Sequence, residues 1–299
     1  MQAAALSTVE FEFVGGSHCL LGESPVWDTK LDCLWWVDIE GYRVFCWYPD
    51  LNSAKSWKTP EMPGFIVLTS TGLPAVGMET GIFVFDPDSG KFLRIVTLDV
   101  SGVRYNDATV DGFGRLWTGT MDVHGDQPCG SLFCIGTDLN AALVLSGLCR
   151  PNGLAADDRL ARLYLSDSHP DIQSVWTFEL DSRSLRLGDR RLFADFSDRS
   201  GRPDGAAIDA NGNYWIAAIN GARILVFAPD GRNLSEIATP FRDPTKPAFG
   251  GGRLDLLFVT SKENEKTGDA GHVAFARSSP ERRFLGRASH CWNIPEHFR

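Results

Sequence analysis

One phrase recurs along this chain, and its spacing limits the folds that the chain can adopt. The octapeptide RPNGLAAD, which begins at Arg150, returns as RPDGAAID, which begins at Arg202. In both copies a polar residue stands five positions before a closing Asp, and that residue changes from Asn152 to Asp204. A turn that served the fold alone would accept any small polar residue there. The change from an amide to a carboxylate therefore needs a second explanation.

The same spacing occurs twice more. Glu23 stands five positions before an Asp in GESPVWD, and Asn106 does so in YNDATVD. Two further segments, PGFIVLTSTGLPAVGME and KPAFGGGRLDLLFVTS, fill the remaining intervals. The chain thus divides into six units of roughly 40–50 residues, which is the size of a four-stranded propeller blade.

The segments between these phrases are typical of short β-strands. Apolar residues alternate in DCLWWVDI, RVFCWYP, GIFVFDP and NYWIAAI, and Gly, Pro, Asn or Asp bounds each run. No stretch of roughly twelve residues keeps the apolar period of a helix. We therefore predict an all-β protein, a single six-bladed β-propeller domain over residues 1–299 with four-stranded antiparallel blades. The N-terminal segment VEFEF is expected to complete the last blade and close the ring.

Composition narrows the choice of partners. The formal net charge of −9 disfavours nucleic acid and anionic membranes. The start of the chain, MQAAALSTVEFEFVGG, has neither the basic region nor the apolar run of a signal peptide, and no segment approaches the ~18 apolar residues of a membrane span. Seven cysteines without a C-x-x-C pair are typical of reduced thiols. We expect a cytoplasmic protein with no nucleic-acid or membrane partner.

The first strand of each propeller blade lines the central channel, so equivalent residues of successive blades converge at one mouth. The repeat register places six positions there: Glu23, Phe65 or Ile66, Asn106, Asn152, Asp204, and Ala248 or Phe249. Converging carboxylates and amides are unsatisfied unless a cation joins them. Oxygen ligands favour Ca²⁺, Mg²⁺ or Mn²⁺, and Zn²⁺ or Fe²⁺ can also bind. The register therefore predicts one divalent metal ion.

Turn chemistry offers a simpler reading for any one of these polar residues, because Asn and Asp are common turn formers. Only their shared register argues for a site. The Asp residues that close the phrases have that simpler reading, and we interpret them as structural turn residues: Asp28, Asp111, Asp157 and Asp209.

Five longer segments follow one another along nearly the whole chain: LGESPVWD, RYNDATVDGFGRLWTGTMD, PNGLAADDRLARLYLSDS, PDGAAIDANGNYWIA and KPAFGGGRLDLLFVTS. Through them the chain resembles the senescence marker protein, gluconolactonase and regucalcin family of six-bladed propellers. The resemblance implies one divalent metal ion held by Glu23, Asn152 and Asp204. It also implies substrate binding by Arg104 and Asn106, of which the repeat register does not identify Arg104.

The segment after GTMD is where some members of that family place an acidic substrate contact. Here it offers three candidates, Asp122, His124 and Asp126, and we assign His124 to substrate binding. Asp167, in LYLSDS, either reaches the site from the second strand of its blade or simply ends that strand.

The function that the resemblance implies is metal-dependent hydrolysis of a sugar lactone to the aldonic acid, a step of carbohydrate metabolism. Three protein ligands leave coordination positions open for water and substrate. Asp204 is the candidate general base, although the metal could activate the water itself. Arg104 offers a planar fork of donors to sugar hydroxyls or to the released carboxylate. Two other functions share these ligands: a calcium-binding regulatory propeller without turnover, and a related hydrolase of organophosphate or aryl esters.

Overall fold

The structure is a computed structural model that describes residues 6–7, 9–125, 127–181, 184–266, 268–280 and 283–298. Across these ranges the chain forms β-strands and two single-turn 3₁₀ helices, Pro49–Leu51 and Glu296–Phe298. No helix in the described ranges has the length and apolar character needed to cross a bilayer. The all-β prediction is confirmed.

The strands run in chain order as follows. Two short strands come first: β1 (Leu6–Ser7) and β2 (Glu12–Phe13). The first blade holds β3 (Gly22–Asp28), β4 (Cys33–Asp38), β5 (Arg43–Tyr48) and β6 (Ser53–Lys58). The second holds β7 (Phe65–Val67), β8 (Ala75–Gly77), β9 (Gly81–Asp86) and β10 (Lys91–Thr97). The third holds β11 (Val103–Val110), β12 (Leu116–Asp122), β13 (Gly130–Ile135) and β14 (Ala141–Leu148).

The remaining three blades repeat this arrangement. The fourth holds β15 (Pro151–Asp157), β16 (Arg162–Asp167), β17 (Ser174–Glu179) and β18 (Arg191–Asp195). The fifth holds β19 (Arg202–Ile208), β20 (Tyr214–Ile219), β21 (Arg223–Phe227) and β22 (Asn233–Ala238). The sixth holds β23 (Pro244–Gly250), β24 (Leu256–Ser261) and β25 (Val273–Arg277). Six sheets therefore account for the described strands, and the four propeller strands of each blade pair antiparallel, as predicted.

The N-terminal segment closes the ring in two places. Strand β2, inside the VEFEF segment, pairs antiparallel with β25 and completes the sixth blade, which confirms the prediction. Strand β1 adds a feature that the sequence analysis did not predict, because it pairs in parallel with β22 and gives the fifth blade a fifth strand. The outer edge of a blade carries unpaired backbone groups, so a passing segment can add to it without any marked sequence pattern.

Aromatic packing joins neighbouring blades. Tyr164 of the fourth blade and Tyr214 of the fifth are stacked, with ring centroids 4.5 Å apart. Trp27 of the first blade stacks on Phe258 of the sixth at 5.7 Å, so the seam between the two ends of the chain is packed like the others. These rings are buried, and burial of such large apolar surfaces is the main force that holds blades together.

The inner strands share a distortion at one depth. In the described chain, five of the six change register near the start of the strand, and only the short β7 does not. The shifts fall between Glu23 and Val26, Tyr105 and Ala108, Asn152 and Ala155, Pro203 and Ala206, and Pro244 and Pro247. Bulges of this kind redirect side chains and are frequent beside functional sites. They lie where the predicted mouth residues stand.

The opposite mouth of the channel is covered by residues 284–294, which we call the C-terminal strap. Its backbone and side chains bond to the inner turns of five blades in succession, at Leu254, Ala210, Asp157, Gly114 and Ser70. Trp292 of the strap is fully buried in the core between the second and third blades. A narrow cavity of about 140 Å³ remains in the channel above the strap.

Candidate metal and substrate site

A cavity of about 990 Å³ opens at the mouth formed by the bulged ends of the inner strands. All six residues assigned to metal or substrate line it: Glu23, Arg104, Asn106, His124, Asn152 and Asp204. They come from the first, third, fourth and fifth blades. The fold thus brings together residues that lie far apart in sequence.

Glu23 is held in a fixed orientation by the bulge of β3. Ser24 adopts the left-handed conformation (φ 53°), which turns its N–H back to donate to Glu23 Oε2 at 2.7 Å. The Ser24 hydroxyl accepts from the N–H of Ile66 and donates to the Ile66 carbonyl, both at 3.1 Å. A left-handed conformation is unfavourable for a residue other than glycine. The bulge therefore lowers the stability of the fold while it fixes the position of one buried carboxylate.

Asn152 and Asp204 meet across the fourth and fifth blades. The Asn152 amide nitrogen donates to Asp204 Oδ1 and, at 3.3 Å, to the Ser168 hydroxyl. Ser168 in turn donates to the Pro203 carbonyl. Because both amide hydrogens are used, the amide carbonyl oxygen of Asn152 is the atom left for a further ligand.

The two carboxylates are in an unfavourable environment. Burial, followed by the nearby charge of Asp107, raises the pKa of Glu23 to about 7. Burial also raises the pKa of Asp204 well above its ordinary value, and the charges of Glu23 and Asp107 add to this rise. A divalent cation between the two carboxylates would remove both penalties.

The donor set fits a hard divalent cation. It consists of two carboxylates and one amide oxygen, all preferred by such ions. The described residues contain no group of three His, Cys, Asp or Glu side chains suited to a metal. The predicted set contains only two such side chains, because its third member is the amide of Asn152, and it stays a prediction.

Lys246 and Asp107 form a buried ion pair that the sequence analysis missed. Lys246 Nζ of the sixth blade lies 2.5 Å from Asp107 Oδ1 of the third blade, on the opposite side of the ring, and 3.2 Å from the Ala108 carbonyl. The N–H groups of Ala108 and Leu154 also donate to Asp107, at 2.8 and 2.7 Å. Lys246 therefore neutralises the third carboxylate near the site and leaves two for a dication.

The repeat register was wrong in the second and sixth blades. Ile66, Ala248 and Phe249 line the narrow lower channel, not the mouth cavity, and Phe65 is buried in the core between blades. The sixth blade ends its inner strand at Gly250 and turns at Gly251 instead of an Asp. Counting five positions back from that glycine would have identified Lys246, which also lines the lower channel but whose Nζ bonds to Asp107.

Arg104 and Asn106 form a linked pair on β11. Arg104 Nη1 donates to the Tyr105 carbonyl at 2.9 Å and to Asn106 Oδ1 at 3.0 Å, while the Asn106 amide donates to the Pro151 carbonyl at 3.1 Å. The oxygen of Asn106 is thus already engaged, whereas no residue that the structure describes bonds to the oxygen of Asn152. Burial lowers the pKa of Arg104, and the charge of Glu23 opposes this shift. The pair is better suited to substrate than to metal.

The three candidates around GTMD differ in what the structure shows of their position relative to the cavity. His124 is exposed at the rim of the cavity, whereas Asp122 is buried at the end of β12 and does not line it. Asp126 lies outside the described residues. Asp167 accepts three backbone N–H groups, from Cys149 at 2.8 Å and from Arg150 and His169 at 3.0 Å, so it is structural.

Comparisons with known proteins identify the family of this chain. The SMP-30/gluconolactonase/LRE-like region family matches residues 21–263. A 6-deoxy-6-sulfogluconolactonase of Pseudomonas putida is 34% identical over 84% of this chain and 86% of its own length. A pentonolactonase of Haloferax volcanii is 30% identical over 85% of this chain and 86% of its own length. A solved luciferin-regenerating enzyme superposes with a TM-score of 0.86, is 27% identical, and covers 95% of this chain and 99% of that one.

The fold and the mouth cavity define a six-bladed propeller with an oxygen-lined site at one end of its channel. The chain belongs to the SMP-30/gluconolactonase/LRE-like family.

Proposed function

We propose that this protein hydrolyses a sugar lactone to the aldonic acid, with one divalent cation held by Glu23, Asn152 and Asp204. The observation that carries the proposal is the pair of buried carboxylates with raised pKa values, beside an amide whose oxygen has no partner among the described residues. The names of two relatives support the substrate class, since both are lactonases that align over most of this chain.

Each residue of the site has its own role in the proposed reaction. When bound, the cation supplies Lewis acidity toward the lactone carbonyl. Asp204 accepts the proton of the attacking water and returns it to the ring oxygen as the C–O bond breaks, which yields a hydroxyl and a carboxyl group. Arg104 donates to the sugar hydroxyls or to the new carboxylate, and Asn106 holds Arg104 in place. His124 contacts the substrate from the rim.

We also propose a cytoplasmic location. All seven cysteines are free thiols, and Cys33 and Cys46 are hydrogen-bonded neighbours that remain unlinked. Seven thiols without a disulfide are typical of a reducing compartment.

The decisive experiment is a panel of aldonolactones of five and six carbons, assayed with added Ca²⁺, Mg²⁺, Mn²⁺ or Zn²⁺ and with a chelator. We expect hydrolysis that the chelator abolishes and one of these ions restores. Metal binding without turnover of any lactone would instead indicate a calcium-binding regulatory propeller, and turnover of aryl or organophosphate esters alone would indicate the related hydrolase.

A second measurement assigns Arg104. Arg104→Ala should raise KM for lactone or lower kcat by roughly tenfold or more, since a buried charge-assisted hydrogen bond is lost. Metal affinity, measured by calorimetric titration with Mn²⁺, should stay within about twofold. An equal loss of metal affinity would show that Arg104 organises the metal site instead.

A further inference from the structure

In the first and third blades, the residue after the predicted mouth residue bonds its blade to the next one. In the first blade, the Ser24 hydroxyl accepts the backbone N–H of Ile66 at 3.1 Å. In the third blade, Asp107 Oδ2 accepts the backbone N–H of Leu154 at 2.7 Å. A neutral hydroxyl thus makes in one blade the contact that a carboxylate makes in the other. The charge of Asp107 therefore needs an explanation of its own.

That charge acts on the proposed metal ligands. Burial is the main cause of the raised pKa values of Glu23 and Asp204, and the charge of the buried Asp107 adds to both rises. The positive charge of Lys246 opposes the rise at both carboxylates. A lysine on β23 of the sixth blade therefore offsets a negative charge that the third blade brings to the site.

The fold holds Lys246 in place along its whole side chain. Its stem passes over Gly205, the residue after Asp204, where a Cβ would lie 2.5 Å from both Cβ and Cγ of Lys246. Its Nζ lies 2.5 Å from Asp107 Oδ1 and 3.2 Å from the Ala108 carbonyl. The side chains of Lys246 and Asp107 are only 8% and 3% exposed, so solvent ions screen their charges little. The lysine charge is thus fixed beside the proposed ligands.

We propose that Lys246 determines the charge of the cation that the site prefers. Because it cancels the charge of Asp107, a cation meets Glu23 and Asp204 as two uncompensated carboxylates, and a divalent ion is favoured over a trivalent one. The inference rests on the metal site of the proposed function and adds a specificity-determining residue to it. Ligand charge tunes the affinity of oxygen sites for hard cations.

The expected effect follows from Coulomb's law. The energy between two charges is proportional to their product, so a change of one unit beside the site alters the binding of a trivalent ion more than that of a divalent ion. Arg104 and Arg202 also lie near the ligands and line the mouth cavity. They stay unchanged in every variant of Lys246 or Asp107, so their contribution cancels when variants are compared.

The test compares Tb³⁺ with Ca²⁺, two ions of similar size and different charge. Calorimetric titration of the metal-free protein, in a buffer that does not bind metal ions, gives both dissociation constants without any substrate. Lys246→Met keeps an apolar stem of similar length and removes the charge. We expect it to raise the affinity for Tb³⁺ relative to Ca²⁺ by about tenfold or more. An unchanged ratio would overturn the proposal.

Two further variants separate charge from damage to the fold. Asp107→Asn leaves the Lys246 charge uncancelled and should shift the same ratio by about tenfold in the opposite direction. In Lys246→Met/Asp107→Asn both charges are gone, so the ratio should return to within about threefold of the wild-type value. Each single variant leaves a buried charge unpaired and should lose stability. A shift in the same direction in both would indicate a distorted site and contradict the proposal.

The double variant also covers the case in which Lys246→Met does not fold. The difference between Asp107→Asn and the double variant then gives the effect of the Lys246 charge, and its expected direction is the same. Lys262→Met is the matched control, because Lys262 lines the mouth cavity but pairs with Glu40 at the exposed surface, where salt screens its charge. A shift in Lys262→Met as large as in Lys246→Met would contradict a specific role for Lys246.

The same titrations keep this inference separate from the metal site itself. Asp204→Asn should weaken the binding of both ions, because a ligand charge is lost. If it does so while the Tb³⁺ to Ca²⁺ ratio ignores Lys246 and Asp107, only the role of Lys246 is overturned. If the wild-type protein binds neither ion, the proposed metal site fails and the role of Lys246 fails with it.

Discussion

Two aspartates five positions apart in the fifth blade have opposite surroundings. At the end of the inner strand, Asp209 accepts the backbone and side-chain N–H groups of Asn213, both at 2.8 Å, and the Trp215 indole N–H at 3.0 Å. At the start of the strand, Asp204 accepts one hydrogen bond within the described part of the chain, from Asn152, and burial raises its pKa. The same side chain thus stabilises the fold where its partners are complete, and forms a candidate site where they are not.

The contrast extends to the two mouths of the channel. At the strap-covered mouth, the turn residues predicted to be structural are indeed bonded to backbone or strap: Asp28 to the N–H of Lys30 at 2.8 Å, and Asp157 to Arg287 at 3.0 Å. The other mouth opens into the large cavity, which the buried side chains of Glu23 and Asp204 line. In the first, third, fourth and fifth blades, one end of the inner strand therefore serves stability, and the other end carries a candidate site residue.

The largest effect is expected at the strap-covered mouth. Asp111→Ala removes the acceptor of Arg115 Nε at 2.7 Å and of the Trp117 indole at 2.8 Å, and leaves the Arg115 charge buried. We expect the free energy of unfolding to fall by about 3–5 kcal/mol, the usual cost of breaking a buried ion pair. Urea denaturation followed by Trp fluorescence measures it. The exposed Asp99→Ala variant is the control, and equal stability of the two variants would contradict the structural assignment.

The next effect is expected at the open mouth. Asp204→Asn removes the candidate base and one ligand charge, so kcat for lactone should fall by about a hundredfold or more. The unfolding free energy of the metal-free protein should not fall, because a buried carboxylate with a raised pKa is replaced by a neutral amide.

The same substitution five residues on is its matched control. Asp209→Asn should leave kcat near the wild-type value and lower the unfolding free energy by about 1–3 kcal/mol, since buried donors lose a charged acceptor. If Asp204→Asn hydrolysed lactone at the wild-type rate, the proposed site would be wrong.

What the sequence could predict follows from the same contrast. The blades and most of the mouth residues are encoded locally, since each phrase holds both its turn Asp and its polar residue within five positions. The Lys246–Asp107 pair joins residues 139 positions apart, and no local pattern marks such a contact. The parallel pairing of Leu6–Ser7 with β22 also leaves no pattern in the sequence, because an open strand edge accepts many sequences.

A smaller effect is expected from a substitution that tests the role of the Asn152 amide. Asn152→Asp adds a third carboxylate and removes the hydrogen-bond donor to Asp204. We expect tighter binding of Ca²⁺ or Mn²⁺ in calorimetric titrations, because ligand charge sets the affinity for such ions. Lactone kcat should fall by less than in Asp204→Asn, since the candidate base remains. Loss of metal binding in Asn152→Asp would show that the amide is needed for another reason.

The smallest expected effect tests how the strap is held. His290 Nε2 lies 2.5 Å from Asp158 Oδ2, and this hydrogen bond raises the pKa of His290 above its ordinary value; Asp111 adds to the rise and Arg287 opposes it. A raised pKa contributes stability that is complete below the unfolded value of about 6.5 and is lost as the pH rises through the folded value.

Both side chains are partly exposed, so the contribution should be only about 0.5–1 kcal/mol. We therefore expect the wild-type protein to lose that much more unfolding free energy than His290→Gln between about pH 5.5 and about pH 9. Urea midpoints of both proteins at the two pH values measure the difference, in which the titration of all other groups cancels. Parallel pH profiles would show that the His290–Asp158 contact adds nothing to the attachment of the strap by its backbone bonds, by Arg287 and by buried Trp292.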